Sequence, residues 1–166
     1  MTPAARAVLS LANGKQRPLF VISEAFKHAD RVLALPPARA HIERPQSRGV
    51  LVKRFALPLD LCKPQNRTRH GQAWALGKLK KDIAACLRLQ AQQRREPLPG
   101  RPQVLCLRLS SVEPDKYADW AKHAIDQLCP QGLNFLRDDR PQDAEIHQWW
   151  EPAPKGAGCV VIEVRA

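Results

Sequence analysis

One stretch of the sequence, Glu113–Arg140, constrains the fold more than any other. Within it, Asp115, Asp119, Lys122 and Asp126 are separated by four, three and four residues. Side chains at this spacing share one face of an α-helix. The opposite face carries apolar residues at helical spacing, namely Trp120, Ala121, Ala124, Ile125 and Leu128. The pattern predicts a helix that packs one side on a hydrophobic core and presents three carboxylates and a lysine on the other.

A second group of acids follows this predicted helix. Asp138 and Asp139 are adjacent, and the chain before them is long enough to fold back towards the helix. Converging carboxylates in a basic protein are the ligands that a hydrolytic Mg²⁺ site requires. The spacing alone favours a different interpretation, in which the acids line a solvated helix face and Arg137–Arg140 is a turn. The distribution of charge along the chain therefore bears on the choice.

Basic residues are concentrated in the middle of the chain. The 166 residues carry a formal net charge of +11. Residues 44–101 contain 14 Lys and Arg against three acids, whereas residues 102–166 contain seven against ten. A basic half joined to an acidic half predicts a polyanionic partner that the first half binds and the second half acts on. Nucleic acid is the leading candidate, and an anionic membrane surface is the weaker one because the basic segment lacks flanking aromatic residues.

The cysteines and the hydropathy pattern indicate a cytoplasmic protein. The five cysteines are odd in number and far apart, and none belongs to a C-x-x-C motif. They predict reduced, mostly buried thiols, without a disulfide framework or a zinc site. No apolar run approaches 18 residues, so we expect no membrane span. The first apolar segment, Val8–Ala12, is too short for a secretion signal.

The sequence divides into an N-terminal appendage with a linker, residues 1–48, and one domain, residues 49–166. The appendage contains a predicted helix, Ser23–Leu35, which Ser23 would cap and Pro36-Pro37 would end. We find no residues in the appendage that indicate chemistry, so we expect either a partner-binding arm or a partly disordered segment.

The domain alternates predicted strands and helices. In chain order these are a strand from Val50, a helix Gln72–Arg95, a strand Val104–Val112, the acidic helix, and strands Ala144–Trp150 and Cys159–Val164. Gly132 is expected to end the acidic helix in a left-handed turn. The order predicts an α+β fold, with a small mixed β-sheet packed against two main helices.

The basic residues fall on a loop and on the helix that follows it. The loop, residues 63–71, and the helix supply six candidate nucleic-acid contacts: Asn66, Arg67, Arg69, Lys78, Lys80 and Lys81. Such side chains commonly bind phosphates. The alternative is a solvated helix surface, and the charge balance favours phosphate contact.

Residues 50–165 resemble the RusA-like Holliday junction resolvases, which phages and prophages often encode. The resemblance starts with the strand, Asn-bearing basic loop and helix that begin at ALPLDLCKPQNRTRHG. It continues with the family helix D-x-D-N-φ-x-K-x-x-x-D-x-L, where φ is apolar, and with an Asp-Asp pair before a strand. Lys122, Asp126 and Leu128 match the second half of that motif, and Asp138-Asp139 matches the pair.

The first half of the family motif is different in this chain. Lys116 and Ala118 occupy the positions of the two leading aspartates, and Asp119 stands where the family has asparagine. Asp115 and Asp119 lie one residue to either side of those positions and would rebuild a metal site if the helix shifted, with Glu113 as a spare ligand. Alternatively, the chain binds DNA without cutting it.

The resemblance implies a homodimer that resolves four-way DNA junctions in recombination and repair by Mg²⁺-dependent phosphodiester hydrolysis. It implies that Asp119 and Asp139, with Asp115 or Asp138, hold Mg²⁺. Lys122 would stabilise the charge on the phosphate, so the catalytic set is Lys122, Asp119 and Asp139. The motif leaves Asp126 as a partner of Lys122 or as a surface residue. A basic RNA-binding or partner-binding protein that shares the fold is a third hypothesis.

Overall fold

The computed structural model describes residues 8–9, 20–62, 73–115 and 118–166, and for residues 8–9 and 73–74 it describes the backbone only. The predicted contacts Asn66, Arg67 and Arg69, and also Lys116, lie outside these ranges. The strands are β1 (Val8–Leu9), β2 (Phe20–Val21), β3 (Leu51–Pro58), β4 (Gln103–Ser110), β5 (Glu145–Pro152) and β6 (Cys159–Arg165). The α-helices are α1 (Ile22–Leu33), α2 (Ala73–Arg88) and α3 (Lys122–Asp126). A 3₁₀ helix, Leu59–Leu61, follows β3.

The fold is α+β, and its centre is a mixed sheet in the order β3-β6-β4-β5. The pairs β3–β6 and β6–β4 are antiparallel, whereas β4 and β5 are parallel. The parallel pair follows from the long connection, residues 111–144, which returns the chain to the same end of the sheet. The four predicted strands of the domain are therefore confirmed, with small shifts at their ends.

Alternation along the strands gives the sheet two buried faces. Phe55, Leu57, Val104 and Ile162 belong to a core shared with α2 and α3. The intervening residues face α1, where a second cluster joins Ala25 and Ala29 of α1 to Ala56, Leu107, Leu109, Ala153, Cys159 and Val161. Sheet residues on both faces are thus removed from water, which explains why β4 and β6 read as nearly continuous apolar runs.

Helix α1 confirms the predicted helix in the N-terminal region, but its cap is different. Val21 occupies the N-cap position and no side chain caps the helix, so the prediction for Ser23 is wrong. The buried face of α1 consists of small residues, Ala25 and Ala29, which allow the helix to approach the sheet closely. The boundary at residue 48 stays a prediction, although the contacts of α1 with the sheet tie part of the N-terminal region to the core.

The prediction of one long acidic helix, made from the spacing of Asp115, Asp119, Lys122 and Asp126, is wrong. Helix α3 contains only Lys122–Asp126, so Asp115 and Asp119 precede it rather than stack along it. Trp120 and Ala121 are buried in the core, and the Ala121 N–H donates to Oε1 of Gln148 on β5 at 3.3 Å instead of to a helical carbonyl. Tertiary contacts have therefore overridden the local helical preference.

The turn after α3 also differs from the expectation. Gly132 is not in a left-handed conformation, and Asn134, with φ of 56°, supplies that conformation. A Cβ atom at Gly132 would lie 2.1 Å from the carbonyl oxygen of Gln127, so close packing of the backbone requires glycine here.

Candidate functional site

Lys122 forms an ion cluster with two of the predicted acids. Its Nζ atom lies 2.6 Å from Oδ1 of Asp126, one helical turn further along α3, and it also bonds Oδ2 of Asp139 from the loop. Burial lowers the pKa of Lys122, but the hydrogen bonds to Asp126 and Asp139 outweigh burial and raise it above its ordinary value. The Lys122 ammonium holds the pKa of Asp139 below its usual range. The structure therefore pairs Lys122 with Asp126, one of the two roles expected for that aspartate.

The adjacent acids Asp138 and Asp139 have different partners. Asp138 accepts the backbone N–H of Asp139 at 2.8 Å through Oδ1, and Nε of Arg140 lies 2.9 Å from its Oδ2. Only Asp139 contacts Lys122. The loop therefore places Asp139 in the cluster and holds Asp138 beside it with its oxygens engaged by a backbone amide and by Arg140.

Asp119 is held by the sheet. Its Oδ1 accepts a hydrogen bond from Nε2 of Gln148 at 2.9 Å. Gln148 lies on β5 and also accepts the Ala121 N–H, so one side chain fixes both Asp119 and the start of α3. Sequence reasoning missed this role of Gln148. The available signal was the polar residue between Ile146 and Trp150 on a strand whose side chains alternate.

The four predicted metal ligands are contacted by different groups in this arrangement. Among the described residues, no three Asp, Glu, His or Cys side chains come close enough together to hold an ion. Asp119 and Asp139 are bonded to Gln148 and Lys122, and Asp115 lies in the segment before α3, where its carbonyl accepts the Ala118 N–H at 2.9 Å. These contacts engage one oxygen each of Asp119 and Asp139, and the Mg²⁺ assignment stays a prediction.

The basic helix α2 adjoins the ion cluster. Burial lowers the pKa of His123, and the nearby charge of Lys80 on α2 lowers it further. His123 follows Lys122 on α3, and its Nδ1 lies 3.8 Å from Oδ2 of Asp126. Lys80 and Lys81 are exposed and Lys78 is half-buried. The surface around Lys80 therefore combines the exposed cations Lys80 and Lys81 with the Lys122 cluster.

Comparisons of the chain with protein-family models, with curated proteins and with solved structures find no match. The resemblance to the RusA-like resolvases consequently depends on the motif residues alone. In the part of the chain that the structure describes, no helix is both long enough and apolar enough to cross a membrane.

Proposed function

We propose that this protein binds branched DNA, four-way junctions in particular, and holds it without cutting it. The observation that carries the proposal is the packing of α2 against α3 in one core, because it sets the basic helix α2 beside the Lys122–Asp139 pair. These are the two parts of the chain that resemble the junction resolvases. The expected form is a homodimer, whose two-fold axis would suit a junction with four similar arms. The expected compartment is the cytoplasm, where thiols stay reduced.

Electrostatics supports the binding part of the proposal. Residues 44–101 carry 14 Lys and Arg against three acids, and Lys80 and Lys81 are exposed on α2. Each phosphate that a protein neutralises releases counterions, which strengthens binding and makes it depend steeply on salt. In the sequence, Arg67 and Arg69 of the loop at residues 63–71 belong to the same basic segment. We therefore expect phosphate contacts to dominate the affinity.

The arrangement of the acids supports binding without hydrolysis. Asp139 is neutralised by Lys122, and Asp119 is engaged by Gln148. The two leading positions of the family motif hold Lys116 and Ala118, and the Ala118 side chain, which is buried, has no oxygen to offer a metal. A junction could thus occupy the surface without meeting a cluster of metal-binding carboxylates.

The second candidate is a Mg²⁺-dependent junction-cleaving endonuclease. It is favoured by Lys122, Asp126 and Asp139, which follow the family spacing and are in contact with one another. In this candidate Asp119 and Asp139, with Asp115 or Asp138, would hold the metal through the oxygens of Asp119 and Asp139 that do not bond Gln148 and Lys122. Lys122 would then face the phosphate.

One assay separates these candidates. The purified chain is incubated with a labelled four-way junction and with a linear duplex of matched arm sequence, in Mg²⁺ and in EDTA. We expect tighter binding to the junction in both buffers and no nicking. Nicking of the junction that requires Mg²⁺ would instead establish the endonuclease. If there is neither a preference for the junction nor cutting, both candidates fail and an RNA-binding or partner-binding protein remains.

A double variant tests the surface itself. Lys80→Gln with Lys81→Gln should weaken junction binding and reduce the slope of log K against log[salt] by about 2, since each phosphate contact contributes about 0.9. The matched control is Lys27→Gln with Arg31→Gln, which removes two exposed cations from α1 on the other face of the sheet. Equal losses in the two double variants would mean that binding reports only the net charge of the chain.

A further inference from the structure

Arg108 is a half-buried arginine on the face of the sheet that carries the candidate site. It lies on β4, and its Nη1 donates to the carbonyl oxygen of Cys62 at 2.7 Å. Its Nε lies 3.4 Å from Oγ of Ser110, and its guanidinium carbon lies 5.8 Å from the ring centroid of Trp120. These contacts hold the planar head in one orientation. Nη2 forms no hydrogen bond with the residues that the structure describes.

Arg108 also lacks a carboxylate partner. Every Asp and Glu of the chain lies within the described ranges, and none of them forms an ion pair with Arg108. Half-buried arginines elsewhere are paired: Arg44 with Glu151, and Arg54 with Asp30 and Glu163. Burial without a counter-charge lowers the pKa of Arg108. A guanidinium that is partly desolvated and has no anion is destabilising unless an anion from outside the chain completes it.

Two neighbours place Arg108 on the same face of the sheet as Asp119 and near it. Cys106, two residues earlier on β4, pairs with Gln148, which holds Asp119. Two residues along a strand span about 7 Å. Trp120, whose ring lies under the guanidinium, directly follows Asp119 in sequence. Cys62, whose carbonyl fixes Arg108, is the last described residue before the basic loop. Arg108 thus lies between Cys62, after 3₁₀ helix Leu59–Leu61, and the segment that carries Asp119 and Trp120.

We infer that Arg108 binds a backbone phosphate of the DNA held on this surface, an inference that rests on the proposed function. Arginine presents a planar fork of N–H donors that matches two phosphate oxygens, and its charge strengthens both bonds. Trp120 and the Cys62 carbonyl fix the fork before the ligand arrives, so little side-chain freedom is lost on binding. The contact positions the duplex and carries no base specificity.

The experiment measures junction affinity in EDTA for the wild type, Arg108→Met and Arg94→Met across a range of KCl concentrations. Arg94 is the matched control, because it is also half-buried, also donates to a carbonyl and also lies over an aromatic ring, Phe135, but it lies beyond the far end of α2. Arg108→Met should weaken binding about tenfold and reduce the salt slope by about 1. Arg94→Met should leave both quantities unchanged.

Folding and the identity of the ligand are checked separately. Near-UV circular dichroism verifies that each variant is folded, and Arg108→Lys, which keeps the charge but loses the fork, should restore part of the salt slope and little of the affinity. An unchanged affinity and slope in folded Arg108→Met overturn the inference. If the wild type does not bind DNA, the proposed function fails, and titration of the wild type with inorganic pyrophosphate, followed through the Trp120 indole N–H resonance, still tests the phosphate site. No shift with pyrophosphate would then overturn the inference as well.

Discussion

Glu151 and Arg44 form the most buried ion pair among the described residues, and breaking it should measurably destabilise the fold. Glu151 lies on β5 with none of its surface exposed, and its Oε1 accepts a hydrogen bond from Nε of Arg44 at 2.5 Å. Arg44 also donates to the carbonyl oxygens of Val32, Leu33 and Leu35 at the end of α1, at 3.1, 3.2 and 2.6 Å. One guanidinium therefore connects the last turn of α1 to the sheet.

The two single substitutions should lower the free energy of unfolding by different amounts. Arg44→Met leaves a fully buried carboxylate without its counter-charge, for which the expected cost is about 3–5 kcal/mol of unfolding free energy. Glu151→Gln keeps an oxygen that accepts the Arg44 N–H, and the arginine, whose side chain is 20% exposed, can still be hydrated. Its expected cost is about 1–2 kcal/mol, the difference between a charged and a neutral hydrogen bond.

The double variant Arg44→Met with Glu151→Met gives the decisive comparison. Replacing both partners of a buried pair by apolar groups is often nearly neutral. The double variant should therefore be more stable than Arg44→Met alone, despite carrying one more substitution. Urea unfolding at pH 7 gives the free energy of unfolding of the wild type, the two single variants and the double variant. The control is Arg31→Met, at an exposed position on α1, for which the expected change is within about 0.5 kcal/mol.

The outcome also bears on the predicted boundary at residue 48. If residues 1–48 are an appendage, Arg44→Met should increase hydrogen exchange in α1 alone and leave the amides of β4 and β6 protected. A cost below about 1 kcal/mol for Arg44→Met, or a double variant less stable than it, would refute the argument from burial.

Two further predictions concern the ion cluster and the thiols. Asp139 has a pKa below its ordinary value of 3.8, so its bond to Lys122 should contribute stability above that pH and lose it as the pH falls through the folded-state pKa. The stability difference between wild type and Asp139→Asn should accordingly be constant from about pH 5 to pH 9 and shrink below about pH 4, and thermal unfolding across this range checks it. Burial raises the pKa of Cys62 and Cys86 to about 12 and that of Cys129 and Cys159 to about 11, and all five thiols are buried. Ellman's reagent at pH 8 should therefore find no reactive thiol in the native protein and five in guanidinium chloride, and fast labelling of the native protein would contradict the buried core.

Local sequence patterns predicted most of the secondary structure. Apolar and β-branched runs identified β3, β4 and β6, because strands buried on two faces exclude polar residues along most of their length. The alternation of Ile146, Gln148 and Trp150 identified β5. The recurrence of Ile83, Cys86 and Leu87 identified the buried side of α2. The spacing of four residues between Lys122 and Asp126 likewise predicted a contact that the structure has.

The predicted helix failed where distant residues compete with the local pattern. The acid spacing continues helically back to Asp115, yet among the described residues of this stretch the helix begins at Lys122. Trp120 enters the core under Arg108, and Gln148 takes the Ala121 N–H. No window of sequence around Asp119 contains those partners.

By itself, then, the sequence determined the strands, the basic helix, the α+β class and the candidate acids, because these depend on residue type and on spacings of two to four positions. The tertiary structure alone decided that Asp139 rather than Asp138 contacts Lys122, that Gln148 holds Asp119, and that Arg44 meets Glu151 across 107 positions. Such pairings are set by how the sheet brings remote segments together, and a local spacing carries no information about which remote side chain will be the neighbour.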